Sequence, residues 1–167
     1  STLAGSTYGY TDGTGTSAKF NAPFGVAVDG AGNVYVADYY NHSIRKITAS
    51  GVVSTLAGSS TSGNTDGTGT SAQFSYPTGV AVDGAGNVYV ADYGNHRIRK
   101  ITASGVVSTL AGSTYGYTDG TGTSAKFNAP FGVAVDGAGN VYVADYYNHS
   151  IRKITASGVV STLAGSG

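Results

Sequence analysis

The chain repeats itself. Residues Ser1–Val53 recur without a substitution as Ser108–Val160, and Ser54–Val107 between them is a near copy. A unit this short and this rich in glycine cannot bury a core alone, so its apolar surface has to be covered by its neighbours. Repetition also limits the chemistry. A single catalytic site needs unlike groups converging on one point, whereas near-equal units place like groups around an axis. The reading is one segment over 1–167, built from repeats 1–53, 54–107 and 108–160, with 161–167 as a C-terminal strand remnant that copies Ser1–Gly5.

Within a unit, apolar residues alternate with small or polar ones between turn clusters. Gly25-Val26-Ala27-Val28 and Val34-Tyr35-Val36-Ala37 flank Asp29-Gly30-Ala31-Gly32-Asn33, the pattern of a β-hairpin. Ser43-Ile44-Arg45-Lys46-Ile47 and Val52-Val53-Ser54-Thr55-Leu56-Ala57 add two more strands, joined by Thr48-Ala49-Ser50-Gly51. No stretch carries a helical period of apolar residues. Each unit therefore reads as a four-stranded antiparallel meander. Valines alternate with Gly25, Ala27 and Ala37, so one face of the sheet is bulky and the other smaller, which suits stacking of large on small around a ring. The long connection before each first strand carries Thr-Asp-Gly-Thr-Gly-Thr-Ser-Ala and then Phe20, Phe74 or Phe127. A loop this long is expected to fold over the joint between sheets, with the phenylalanine as a core anchor.

Composition closes several routes. Formal net charge is zero, with no basic run of the kind that binds nucleic acid by counterion release. No apolar run reaches the roughly 18 residues of a membrane-crossing helix, and no signal segment is seen. The chain does not begin with Met and reads as processed; its compartment is left unassigned. Cysteine is absent, which removes thiolate and disulfide chemistry. His42, His96 and His149 occupy equivalent positions beyond the second strand, away from the axis, and are expected to hydrogen-bond rather than hold a metal. Asp12-Gly13-Thr14-Gly15-Thr16 lacks the further carboxylates of a calcium loop and reads as a turn. Asp38 and Arg45 are placed to pair across the second hairpin. Asn41-His42-Ser43 fits a glycosylation sequon by coincidence, since Arg97 breaks it in the middle unit.

Pro23 to Ile47 resembles the NHL repeat of β-propellers, and the middle copy, with Gly79-Val80-Ala81-Val82-Asp83, Gly86-Asn87-Val88-Tyr89-Val90-Ala91-Asp92 and Asn95-His96-Arg97-Ile98-Arg99-Lys100-Ile101, matches it most fully. The outer copies depart at Ser43 and Ser150, where the family usually has Arg. The resemblance implies an all-β propeller arc of three four-stranded blades. Such an arc leaves two apolar faces open, so closure by homo-oligomerisation is expected, with itself as partner and neither nucleic acid nor membrane. A homodimer giving six blades, the usual count of the family, is the favoured expectation; a homotrimer giving nine, which the long connection would suit, is the alternative. Letter-for-letter identity of two units points to engineering or very recent duplication, and to a non-catalytic, self-assembling scaffold. The family includes a peptide-amidating lyase with an axial metal, yet Asn21, Ala22, Phe24, Ser75, Tyr76 and Thr78 flank the inner strands without a ligand set; no cofactor or metal is expected. The alternative is a module that binds peptide, protein or glycan. Differences between units fall in the long connection and in the loop after the second strand, which emerge on one face. The candidate recognition residues there are Tyr8, Tyr10, Tyr40, Tyr76, Arg97, Tyr115, Tyr117 and Tyr147, although Tyr40 with Ser43 and Gly94 with Arg97 also read as volume compensation.

Overall fold

The computed structural model describes residues 1–166. It contains three antiparallel sheets in chain order. The first holds β1 (Gly13–Thr14), β2 (Pro23–Val28), β3 (Val34–Asp38), β4 (Ser43–Ile47) and β5 (Val52–Gly58). The second holds β6 (Gly67–Thr68), β7 (Pro77–Val82), β8 (Val88–Asp92), β9 (Arg97–Ile101) and β10 (Val106–Gly112). The third holds β11 (Gly120–Thr121), β12 (Pro130–Val135), β13 (Val141–Asp145), β14 (Ser150–Ile154) and β15 (Val159–Gly165). The long strands of each sheet follow one another as a meander, as the turn pattern predicts.

Each sheet has five strands, not four. The extra one is a two-residue strand from the long connection, which adds to the outer edge as Gly13↔Val53 and Thr14↔Val52. The Asp-Gly-Thr stretch is thus more than a turn: it caps the blade's outermost strand, covering an edge that would otherwise offer unpaired amides. A side chain fastens it. Arg45 is fully buried; its Nη1 donates to Asp38 Oδ2 at 2.8 Å and to the Lys19 carbonyl at 2.9 Å. Its Nη2 donates to Asp12 Oδ1 at 2.7 Å and to the Thr11 carbonyl at 3.0 Å. The guanidinium lies against the Tyr10 and Phe20 rings, 5.0 and 4.9 Å from their centroids. Arg99 and Arg152 repeat the arrangement with Asp92 and Asp66, and with Asp145 and Asp119. The expected Asp38–Arg45 pair is present, but at zero exposure on both sides. It therefore ranks as a buried pair, whose disruption is costly because a charge is left alone.

The core lies between sheets rather than within them. Tyr35, Ala37, Ile44 and Ala57 of the first sheet pack on Phe74, Val80, Val88, Val90, Ile101 and Val107 around the second. Tyr89, Ala91, Ile98 and Ala111 pack in the same way on Phe127, Val141, Val143, Ile154 and Val160. Ala37 and Ala57 meet the valines of the next sheet as the alternation predicts, and Tyr35 and Ile44 add bulk to the same face. Of the three expected anchors, Phe74 and Phe127 are fully buried while Phe20 is partly buried. At the inner strands the backbones come close. A Cβ on Gly25 would lie 2.5 Å from the Thr78 carbonyl oxygen, and one on Gly79 would lie 2.7 Å from that of Phe131.

Candidate functional site

Two surfaces stand out. The first is an aromatic face where the long connection meets the loop after the second strand. The two segments are tied together by Tyr40 N–H to the Asn21 carbonyl (3.1 Å) and by Asn41 Nδ2 to the Gly9 carbonyl (2.8 Å). Near the inner strands the rings form a connected chain. Phe24 and Phe131, from the first and third sheets, meet across Thr78 with centroids 5.7 Å apart. Tyr39 contacts Phe24, Tyr40 and Tyr76 at 4.8–5.0 Å. On the other side Phe131 contacts Tyr93 and Tyr146, and Tyr146 contacts Tyr147. Most of these pairs are edge-to-face, the arrangement that ring quadrupoles favour. Burial pushes the Tyr39 phenol up, helped by Tyr40 and Tyr76. The Tyr93 phenol is raised chiefly by the Tyr147 hydroxyl. Phe24, Tyr40, Tyr146 and Tyr147 remain open to solvent.

The sequence-derived candidates divide. Tyr40, Tyr76 and Tyr147 belong to this cluster. Tyr10 and Tyr117 instead lie over Arg45 and Arg152, and their hydroxyls accept from Ser43 Oγ and Ser150 Oγ at 3.1 Å. In the middle repeat Asn64 replaces that tyrosine and Arg97 replaces that serine; Arg97 Nε donates to the Ser113 carbonyl at 3.3 Å. The exchange of Tyr10 with Ser43 for Asn64 with Arg97 is a compensation. Gly94 is likewise set by its surroundings, since a Cβ there would lie 2.5 Å from Ser75 Oγ. Tyr115 packs on His96 at a joint, and Tyr8 lines an open groove of about 470 Å³ at the end of the first sheet. Tyr39, Tyr93, Tyr146, Phe24 and Phe131 were not among the candidates. The first three follow an Asp in every repeat and so are invisible to a comparison that looks for differences between units.

Asp38, Asp92 and Asp145 are each engaged by an arginine, by an asparagine side chain and by a backbone N–H. Among the described residues no group of three or more His, Asp or Glu side chains is arranged to hold a metal ion. The aromatic face can bind by stacking and by hydroxyl hydrogen bonds.

The second surface is the pair of end faces. Val26 of the first sheet is 65 % exposed, whereas its equivalent Val80 is 6 % exposed beneath the first sheet. At the opposite end Ile151 is 41 % exposed, whereas Ile98 is fully buried under the third sheet. Val28, Phe24 and Leu163 are also uncovered. A shallow apolar groove of about 170 Å³ runs along Ala4, Phe20, Val26, Val36 and Ile47. Two of the three histidines hydrogen-bond at the joints, as expected: His42 Nδ1 accepts the Tyr76 N–H at 3.1 Å, and His96 Nδ1 accepts the Ala129 N–H at 2.9 Å.

Comparison with known proteins follows these repeats. The NHL repeat model matches residues 20–47, 74–101 and 127–154. NHL repeat-containing protein 2 of Gallus gallus is 41 % identical over 95 residues, covering 55 % of this chain and 13 % of its own length. Among solved structures, a structural genomics protein from Bacteroides thetaiotaomicron is 31 % identical with a TM-score of 0.70, over 83 % of this chain and 35 % of that one. An auxiliary nutrient binding protein from Bacteroides ovatus is 25 % identical with a TM-score of 0.71, over 89 % and 39 %. The chain thus spans well under half the length of each of these relatives. Three matched repeats, laid out as three stacked antiparallel sheets, place the chain in the NHL-repeat family of β-propeller proteins.

Proposed function

We propose that the chain is a non-catalytic propeller arc that completes itself by head-to-tail association of copies, the third sheet of one against the first sheet of the next. One observation carries this reading: Val80, Ile44 and Ile98 are buried and Val133 is partly buried at the internal joints, whereas their equivalents Val26 and Ile151 are exposed at the two ends. Each half of the missing joint is already drawn inside the molecule. The outward face of the third sheet repeats the face that the first sheet lays on the second, and the outward face of the first repeats the face that the third presents to the second. Surfaces that are both apolar and mutually complementary associate heterologously and close into a ring when curvature allows. Two copies supply six blades and three supply nine; contact between Phe24 and Phe131 across a single intervening sheet favours the tighter, two-copy ring. In a longer polypeptide a further repeat of the same kind would fill the same faces. The identity of the outer repeats supports recent duplication or engineering as the origin of the symmetry.

Light scattering of the 167-residue chain at micromolar concentration tests the reading. Twice the chain mass is expected, three times would select nine blades, and a persistent monomer would refute association.

A second reading rests on the aromatic face. Solvent-exposed tyrosine rings suit a ligand such as a glycan or a peptide, and one structural relative is named a nutrient binding protein. Calorimetric titration with neutral oligosaccharides and peptides tests it. Binding that is lost in the Tyr40→Ser/Tyr147→Ser variant supports this reading, and no binding across the panel removes it.

A further inference from the structure

Two positions in every repeat hold a left-handed backbone without being glycine. One is Ala22, Tyr76 or Ala129, at φ 53–54°; the other is His42, His96 or His149, at φ 49–56°. Such a conformation costs a non-glycine residue roughly 1–2 kcal/mol, and Ala22 and His149 keep it at the uncovered ends, so the backbone there is already set as it is at the internal joints. The first position of one repeat aims its N–H at the imidazole Nδ1 of the preceding repeat, 3.1 Å away at Tyr76–His42 and 2.9 Å at Ala129–His96. Among the described residues the Ala22 N–H and His149 Nδ1 have no such partner: they are the two halves of a third bond, one at each end of the arc.

We propose that His149 of one copy accepts the Ala22 N–H of the next, that this bond latches each junction of the assembled ring, and that protonation of the imidazole opens it, so that mild acid weakens association. The inference rests on the ring reading and adds its regulation. As acceptor, Nδ1 must be bare, with the proton of the neutral ring on Nε2. A second proton on Nδ1 would set donor against donor. Burial holds the His42 and His96 imidazoles below the ordinary histidine value, and at His96 the Asp145 carboxylate opposes that effect. The neighbours at these joints are few. His42 faces the Tyr76 ring at 4.6 Å, and His96 faces the Tyr115 ring at 5.8 Å. The carboxylate that acts on His96, Asp145, is itself paired with Arg152. By equivalence His149 would meet Tyr8 and the Asp38–Arg45 pair of the next copy, so no free carboxylate waits there to hold an imidazolium.

The sign follows. A group with its pKa depressed in the joined state favours that state fully above the ordinary value near 6.5, and loses the advantage as pH falls toward the depressed value. Each junction should weaken as the solution is acidified, by at most about tenfold per pH unit for one proton, and then level off, so a two-junction ring loses at most about a hundredfold per unit. Sedimentation velocity between pH 7.5 and 5 tests this with the native chain and His149→Asn. Asparagine keeps an acceptor and tolerates the left-handed backbone, but does not titrate in this range. The native chain should dissociate in acid, while His149→Asn should associate equally at all these pH values. A native ring insensitive to pH, or an equal loss in both chains, overturns the latch and leaves the ring reading intact. If neither chain associates at any pH, the ring reading and this junction fail together. The internal latches are read separately by thermal unfolding: Tm should fall from pH 7 to 5, and fall less in His96→Asn. An equal fall would overturn the latch there too.

Discussion

Gly132→Ala separates folding from association with a single methyl group. At the two internal joints the equivalent glycines face a carbonyl oxygen on the next inner strand, 2.5 Å (Gly25) and 2.7 Å (Gly79) from where a Cβ would stand. A carbon normally approaches a carbonyl oxygen no closer than about 3.3 Å, so a methyl there forces the strands about 0.6–0.8 Å apart. The 2.6 Å hydrogen bond from Thr78 Oγ1 to the Phe131 carbonyl spans the same gap. At Gly132 the nearest atom is the Ala144 Cβ at 3.8 Å, because no sheet covers that end. Within one chain the added methyl is unopposed, and replacing a strand glycine by alanine should stabilise the fold by about 0.5–1 kcal/mol. In a ring, Gly132 meets the Phe24 carbonyl of the next copy, and overpacking of about 1–3 kcal/mol weakens each junction roughly 5- to 150-fold. Urea denaturation and sedimentation velocity on Gly132→Ala and Gly79→Ala measure both effects. Gly79→Ala should lose chain stability, whereas Gly132→Ala should keep or gain it and dissociate. If Gly132→Ala assembles as tightly as the native chain, the proposed junction is wrong.

Four further outcomes are expected. Ile98→Ala, at a fully buried position, should cost the chain about 2–5 kcal/mol, and Ile151→Ala clearly less, with the remainder appearing as weaker association; equal losses in urea melts would contradict the open end. Asp92→Ala strands part of the Arg99 charge in the core and should cost about 3–5 kcal/mol, measurable in the same melts; a near-neutral result would mean the pair is not buried in solution. Asp29 accepts from the Asn33 side chain and backbone, the Tyr35 hydroxyl and the Ala31 N–H, which hold its carboxyl at about 2 against 3.8; its stabilising effect is whole above 3.8 and lost as pH falls through about 2, and a carboxyl NMR titration with a midpoint at 3.8 or above would refute this. Removing residues 1–5 should tighten association, because Leu3 and Gly5 occupy against Gly15 and Phe20 the places that Leu56 and Gly58 occupy against Gly69 and Phe74, where an incoming Ser161–Gly165 must fit; unchanged or weaker association would show that the segment does not compete.

Where pattern is local, the sequence is readable. The Asp29–Asn33 turn, the Thr48–Gly51 turn and the valine alternation place four strands per sheet within a residue or two. The fifth strand escapes because two residues carry no period; its position depends on a guanidinium more than thirty residues away. The Asp38–Arg45 pair is legible as a pair, but its burial is decided by the connection that folds over it. His42 and His96 read correctly as hydrogen-bonding groups, yet their partners lie in the next repeat, beyond any local pattern. The aromatic cluster is half legible. Tyr40, Tyr76 and Tyr147 vary between repeats and draw notice, while Tyr39, Tyr93 and Tyr146 do not vary and are passed over.

Identical repeats have a kinetic consequence. The bulky side of any sheet fits the small side of every other, so nothing chemical tells a chain whether the surface it meets is its own, a twin's or a stranger's with the same repeat. Selectivity between ring sizes falls to curvature and dilution alone. A dense solution rewards long open stacks, since each new arrival satisfies one end while exposing another, and a dilute one rewards the smallest circle that shuts. Dilution before refolding is therefore the natural way to obtain a single species.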